Sequence, residues 1–178
     1  MIRNFLLSRL FLVVIIITCL AALGVAWYYQ YQLGYGPCVL CIHIRMAIML
    51  VIAIALLGLV LPKSKLSLSF VFATMAASAV WMFERSFKTL SVERGWAEGA
   101  CTMDLGLPAW LPVDQWLPTL FEAWEPCGYT PYVFDSQVTM AEALVAASGL
   151  LTLVTFACLA CATVFKRRGD IISLKPGR

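Results

Sequence analysis

Charged residues are scarce in this sequence. They make up 13% of its 178 residues, whereas hydrophobic residues make up 62%. Soluble domains average about 25% charged and roughly 45–50% apolar residues, so a soluble fold is excluded because too few charges are present to cover its surface. The net charge of +3 is too small to indicate nucleic-acid binding, and the sequence has neither zinc-ribbon spacings nor a glycine-rich phosphate loop. These absences leave an integral membrane protein with a single domain, residues 1–178.

Four apolar runs are long enough to approach the roughly 20 residues that a membrane-spanning helix needs. We therefore predict an all-α membrane protein, a four-transmembrane-helix bundle, with spans at about 10–27, 44–61, 66–83 and 143–165. The second run is short, and the cysteine motif before it is its expected N-terminal extension. The first run exceeds the apolar part of a signal peptide, so we interpret it as a retained helix.

Basic residues mark one side of the predicted bundle. They occur in the N-terminus, in the 62–65 connection and in the C-terminal tail: Arg3, Arg9, Lys63, Lys65, Lys166, Arg167, Arg168, Lys175 and Arg178. The positive-inside rule assigns these three segments to the cytoplasm. The loops at about 28–43 and 84–142 then face the periplasm. In the second, long loop, we expect residues 110–118 to form a short helix in the membrane interface.

The seven cysteines fall into two groups. The outward loops contain Cys38, Cys41, Cys101 and Cys127, and the spans contain Cys19, Cys158 and Cys161. Four cysteines in an oxidising compartment indicate two disulfides, with three possible pairings. The simplest pairing joins neighbours in the sequence, Cys38 with Cys41 and Cys101 with Cys127. Because Cys158 and Cys161 lie near the reducing cytoplasmic end of a span, we interpret them, like Cys19, as small residues that pack between helices.

Cys38 and Cys41 form a Cys-x-x-Cys pair, which is too small a loop to act as a useful staple. Such pairs occur where a disulfide must open and close. Gly36-Pro37 predicts a turn into a helix whose N-terminus favours a thiolate at Cys38. Arg45 lies one helical turn after Cys41 and shares its face. There it could stabilise a thiolate or bind a ligand oxygen, with snorkelling to lipid phosphate as the alternative.

His43 offers a metal-binding interpretation of the same motif, because it could join Cys38 and Cys41 as a third ligand. No fourth protein ligand is apparent, and the spacing differs from standard zinc patterns. We therefore predict no metal site.

The order of these features resembles the disulfide bond formation protein B (DsbB) family. The resemblance covers essentially the whole chain. It rests on Cys38-Val39-Leu40-Cys41-Ile42 with Arg45, on the two distant cysteines, and on the Trp-Leu-Pro-x-Asp-x-Trp stretch at 110–116. It implies a quinone-dependent protein-disulfide oxidoreductase of the bacterial inner membrane. Such an enzyme reoxidises the periplasmic thioredoxin-fold oxidase DsbA and passes the electrons to ubiquinone or menaquinone.

The resemblance also implies a role for each outer cysteine. Cys101 matches the cysteine that DsbA attacks, and Cys127 matches its disulfide partner. Cys38 matches the cysteine that exchanges with that pair, whereas Cys41 matches the one that faces the quinone. Arg45 matches the arginine beside the quinone.

One departure and three alternatives stay open. Some family members carry a histidine near the end of span three, where this chain reads Phe83-Glu84-Arg85-Ser86, and no role is assigned to Arg85. A DsbB paralogue with another thioredoxin-fold partner would share all the motifs. A vitamin K epoxide reductase-like quinone reductase is disfavoured. Its Cys-x-x-Cys belongs near the outer end of a late span, whereas Cys158 and Cys161 lie near the cytoplasmic end. A non-catalytic four-span scaffold would need the outer cysteines only as structural disulfides.

Overall fold

The computed structural model describes residues 8–62, 64–97, 105–107, 113–125, 128, 130–133 and 137–173, with side chains to Thr163 in the last range. Its helices, in chain order, are α1 (Arg9–Tyr31), α2 (Val39–Val60), α3 (Lys65–Glu93), α4 (Val113–Trp116), α5 (Pro118–Phe121) and α6 (Met140–Ser173). Within these residues there is no β-strand, only an isolated bridge between Tyr132 and Thr139. The predicted all-α fold with four spans is confirmed.

The long helices extend beyond the apolar runs that predicted them. α2 begins at Val39, so the Cys-x-x-Cys motif lies at its start. α3 continues to Glu93, past the end of its apolar run. Lys88 lies four residues after Glu84, and its Nζ is 2.6 Å from Glu84 Oε1. Charged pairs at this spacing add a little to helix stability, here in a segment that the hydropathy pattern assigned to the loop.

The bundle is built around α3, which packs against both α2 and α6, while α1 packs against α2. Its core includes Val51, Phe72 and Met75, none of which is exposed. Large apolar side chains on the outer faces are exposed, including Ile17, Phe70 and Leu153. Four helices long and apolar enough to cross a bilayer, with apolar side chains outside as well as inside, make the chain a multi-pass membrane protein.

The start of α6 is fixed by a reciprocal capping box. The Thr139 hydroxyl oxygen accepts a hydrogen bond from the Glu142 amide at 3.3 Å, and Glu142 Oε2 accepts one from the Thr139 amide at 3.1 Å. Two contacts tie this turn to the end of α3: the Thr139 hydroxyl donates to Glu93 Oε2 at 3.3 Å, and Arg94 pairs with Glu142. These two contacts therefore join α3 and α6, two of the four spans, at one end.

Replacing Thr139 by alanine is expected to lower the free energy of unfolding by about 1 kcal/mol, the typical effect of losing an N-cap side chain. The measurement is thermal or denaturant unfolding of the protein purified in detergent. Thr163→Ala is the matched control, because Thr163 is exposed and, among the described residues, its hydroxyl bonds to the Ala160 carbonyl of its own helix. Equal losses in the two variants would show that the cap contributes nothing specific.

Candidate redox-active site

The turn before α2 is held in place by a close approach of two backbone segments. A Cβ atom on Gly36 would lie 2.7 Å from Trp124 Cβ, so no larger residue fits there without a shift. The Trp124 amide donates to the Pro37 carbonyl at 3.1 Å. The segment after α5 therefore packs on this turn, which leads directly into the cysteine pair.

Cys38 is the N-cap residue of α2. Its backbone is extended, with φ −83° and ψ 164°, and its Sγ accepts a hydrogen bond from the Cys41 amide at 3.3 Å. This bond satisfies one of the free amides at a helix start, as a serine or threonine oxygen would. The N-cap role of Cys38 thus fixes its sulfur at the start of α2.

The two thiols of the pair differ in exposure. Cys38 is 3% exposed and Cys41 is half-buried, and both are free thiols. A hydrogen bond with the Cys41 side chain, together with burial, raises the pKa of Cys38 above its ordinary value, although the Cys41 amide acts in the opposite direction. The amide at the helix start thus favours a thiolate at Cys38, as expected, but in the dithiol form the neighbouring sulfur and burial outweigh it.

A cavity of about 110 Å³ opens beside Cys41, between α1, α2 and the start of α6. Most of its wall is apolar, and Cys41 and Arg45 are among the residues that line it. The lining residues are Ala22, Val25, Ala26, Tyr29, Tyr35, Gly36, Pro37, Cys41, Ile44, Arg45, Ile48, Pro131, Met140 and Leu144. The structure thus brings one predicted redox cysteine and the predicted ligand-binding arginine to the same small apolar space.

Arg45 is buried, with 6% of its surface exposed. One guanidinium nitrogen donates to Gln30 Oε1 at 2.6 Å and to the Leu120 carbonyl at 3.5 Å, and the other donates to the Ala26 carbonyl at 3.5 Å. Snorkelling to lipid phosphate, the alternative considered for this residue, is therefore wrong. In the part of the chain that the structure describes, no carboxylate forms an ion pair with Arg45, so its positive charge is available to a ligand or a thiolate.

Gln30 is a site residue that the sequence did not single out. It is 3% exposed, and besides accepting from Arg45 it donates through Nε2 to the Thr119 carbonyl at 3.1 Å. The Tyr31 hydroxyl donates to the same carbonyl at 2.7 Å. The only sequence signal was a glutamine flanked by Tyr29 and Tyr31 just after the first predicted span. Nothing in its spacing indicates that it faces Arg45.

The other predicted redox cysteines, Cys101 and Cys127, lie outside the described residues, as does Trp110, so their pairing and position stay predictions. The second Cys-x-x-Cys is far from the cavity. Cys158 is fully buried in the core of the bundle, and Cys161 is half-buried. At 1.5 Å per residue, Cys158 lies about 27 Å along α6 from Met140, which lines the cavity.

The comparisons with known proteins agree with one another. The profile of the family "Disulfide bond formation protein DsbB" matches residues 8–158. A disulfide bond formation protein B of Shewanella frigidimarina is 32% identical over 127 residues, covering 69% of this chain and 75% of the relative. The disulfide bond formation protein B 2 of Pseudomonas aeruginosa is 30% identical over 123 residues, covering 68% and 73%. A Vibrio cholerae relative with the same description is 29% identical over 134 residues, covering 74% and 77%.

Proposed function

The chain belongs to the disulfide bond formation protein B (DsbB) family, and from this premise we propose that it is a quinone-dependent protein-disulfide oxidoreductase of the inner membrane. Membership of this family makes it a membrane protein that takes part in disulfide bond formation. In the proposed reaction it reoxidises a DsbA-like periplasmic thioredoxin-fold oxidase and passes two electrons to ubiquinone or menaquinone. The observation that carries the proposal is the apolar cavity shared by Cys41 and the buried Arg45.

The proposed relay proceeds by thiolate attack on disulfide sulfur. A thiolate of the reduced partner attacks Cys101 of the Cys101–Cys127 disulfide and forms a mixed disulfide, releasing the Cys127 thiolate. Cys127 attacks Cys38 of the Cys38–Cys41 disulfide and releases the Cys41 thiolate. The second thiol of the partner attacks the mixed disulfide, which forms the partner's disulfide and releases the Cys101 thiolate. Cys101 then attacks Cys127 of the Cys38–Cys127 disulfide and releases Cys38. This last exchange restores the outer disulfide and leaves Cys38 and Cys41 as a dithiol.

The cavity beside Cys41 fits a quinone headgroup, because its wall is apolar and Arg45 supplies hydrogen-bond donors for a carbonyl oxygen. A bound quinone would accept two electrons and two protons, which leaves the Cys38–Cys41 pair oxidised again. Gln30 holds the guanidinium in place, and the guanidinium can stabilise both a thiolate at Cys41 and charge that develops on a ligand oxygen. Apolar residues such as Ile44 and Ile48 keep water from this site.

We also propose that both termini are cytoplasmic and that the two loops are periplasmic. The basic residues of the N-terminus, the 62–65 connection and the C-terminal tail support this orientation. It puts the start of α2, with the cysteine pair, on the oxidising side of the membrane, where the DsbA-like partner acts.

The partner step is tested with a DsbA-like protein that retains only the first cysteine of its Cys-x-x-Cys motif. Mixed with the oxidised membrane protein, it should form a covalent adduct that reducing agents cleave and that maps to Cys101. Cys101→Ser should abolish the adduct, whereas Cys158→Ala should not. An adduct at another cysteine would contradict the proposed relay. An adduct with a different thioredoxin-fold protein, and none with DsbA-like proteins, would favour the paralogue.

Gln30→Met is expected to raise the apparent KM for quinone by about tenfold, because the buried guanidinium of Arg45 loses its shortest hydrogen bond. Steady-state oxidation of the partner at varied ubiquinone concentration measures the change. Gln32→Met is the matched control, since Gln32 is exposed. If both variants keep the normal KM, Gln30 does not position Arg45 for ligand binding.

A further inference from the structure

His43 is a buried titratable residue that the proposed relay does not use. It lies two residues after Cys41 and therefore projects from a different side of α2. Its side chain is in the interior, since the residue is 9% exposed, and the ring centroid is 6.4 Å from that of Trp81 on α3. Nε2 lies 3.0 Å from the carbonyl oxygen of Leu105, which belongs to the long loop between α3 and α6.

Leu105 is attached to α2 through its side chain as well as its backbone. The side chain is 7% exposed and belongs to a small apolar cluster with Val39, Ile42 and Phe121. Val39 and Ile42 are in the first turns of α2, on either side of Cys41 in the sequence. The loop segment that contains Leu105 is thus held by one hydrogen bond and by apolar packing at the cysteine-bearing end of α2.

The contact with Leu105 determines which ring nitrogen of His43 carries the hydrogen. A carbonyl oxygen can only accept, so Nε2 must hold a hydrogen and donate it. Nδ1 is buried and has no hydrogen-bond partner among the described residues. A proton on Nδ1 would therefore add an unpaired buried donor and an unpaired buried charge, both of which are costly. The arrangement fits a neutral imidazole that acts as a fixed donor to the loop.

We propose that His43 is a positioning residue: by holding the Leu105 carbonyl, it fixes the long loop to the cysteine-bearing end of α2 at a point shortly after Cys101 in the sequence, and so limits the reach of Cys101 from the Cys38–Cys41 pair. Cys101 precedes Leu105 by four residues in the sequence. An anchor at Leu105 shortens the free chain between Cys101 and α2, and a shorter tether raises the effective concentration of two groups that must meet. This inference rests on the proposed function only in assuming that Cys101 and Cys38 belong to one relay.

The test measures that effective concentration without partner or quinone. The starting protein carries Cys41→Ser and Cys127→Ser, with Cys19, Cys158 and Cys161 replaced by alanine, so that Cys38 and Cys101 are the remaining cysteines. Equilibration in glutathione buffers of varied ratio gives the equilibrium constant for the Cys38–Cys101 disulfide. It is compared in His43, His43→Gln, His43→Asn and His43→Leu proteins, each purified in detergent.

The glutamine amide nitrogen can occupy the place of Nε2, whereas the asparagine nitrogen reaches only as far as Nδ1. We expect the glutamine protein to stay within about twofold of His43. The asparagine and leucine proteins should lose about tenfold, because an unpaired buried acceptor shifts an equilibrium constant by roughly that factor. Equal constants in all four proteins, or a glutamine protein as weak as the asparagine protein, would overturn the proposal. Because the assay contains no quinone, a failure of quinone reduction cannot produce either result.

Discussion

Replacing Cys41 by serine is expected to reduce quinone-dependent oxidation of the DsbA-like partner to the background rate. Serine cannot form a disulfide with Cys38, so the electrons that reach Cys38 have no exit. The adduct of the single-cysteine partner at Cys101 should still form, because that attack precedes any use of Cys41. Partner thiols, titrated over time in the presence of ubiquinone, measure the overall reaction.

The matched controls for Cys41 are Cys158→Ala and Cys161→Ala, which alter the second Cys-x-x-Cys of the chain. Both should keep the rate within about twofold, because Cys158 is buried in the core of the bundle, about 21 Å along α6 from Leu144, the last residue of α6 that lines the cavity. A Cys158→Ala or Cys161→Ala protein that inserts stably but is inactive would show that this pair is more than helix packing. A Cys41→Ser protein with normal activity would remove Cys41 from the relay, whereas an unmodified protein without quinone-dependent oxidation of the partner would support the non-catalytic scaffold.

Replacing Arg45 by methionine should raise the apparent KM for quinone by about 10- to 100-fold, the range expected when a charged hydrogen-bond donor to a buried acceptor is lost. Methionine retains much of the apolar stem, so the cavity wall should be preserved. Arg45→Lys should recover little, because a single ammonium cannot reach Gln30, two backbone carbonyls and a ligand as the branched guanidinium can. Steady-state kinetics with varied ubiquinone give the KM.

The Arg45 prediction is separated from a general loss of activity by the thiol exchange itself. Formation of the partner adduct at Cys101, measured without quinone, should be unchanged in Arg45→Met. Lys88→Met controls for the removal of a cation, since Lys88 is an exposed residue paired with Glu84. Unchanged quinone kinetics in Arg45→Met would remove the residue from the quinone site, whereas an equal loss in both half-reactions would indicate a structural role.

The fold followed from the sequence because hydropathy and charge decide it. A run of apolar residues has few stable alternatives to a helix in a bilayer, and all four runs became helices. Their ends were harder to predict, because hydropathy does not record a helix that continues in polar surroundings. The Glu84–Lys88 pair and the extension of α3 to Glu93 are the clearest case.

The site was only partly predictable. Cys41 and Arg45 could be placed on one face because their spacing matches a helical turn. The contacts of Gln30 with Arg45 and of His43 with Leu105 join residues 15 and 62 positions apart, and no local pattern encodes such distances. The properties of Cys38 also depend on tertiary structure. Its role as an N-cap follows from the local sequence, but its raised pKa depends on burial and on the neighbouring sulfur.

In the proposed reaction, electrons pass from protein thiols through this chain to a quinone. The most direct measurement mixes the purified protein with an excess of reduced DsbA-like partner and ubiquinone under anaerobic conditions. It follows partner disulfides and quinol together. We expect one quinol for each partner disulfide formed during turnover. When the quinone is omitted, partner oxidation should stop at the few equivalents that the protein's own disulfides can accept. Partner oxidation that continues beyond this limit without quinone reduction, or quinone reduction without partner oxidation, would contradict the proposed function.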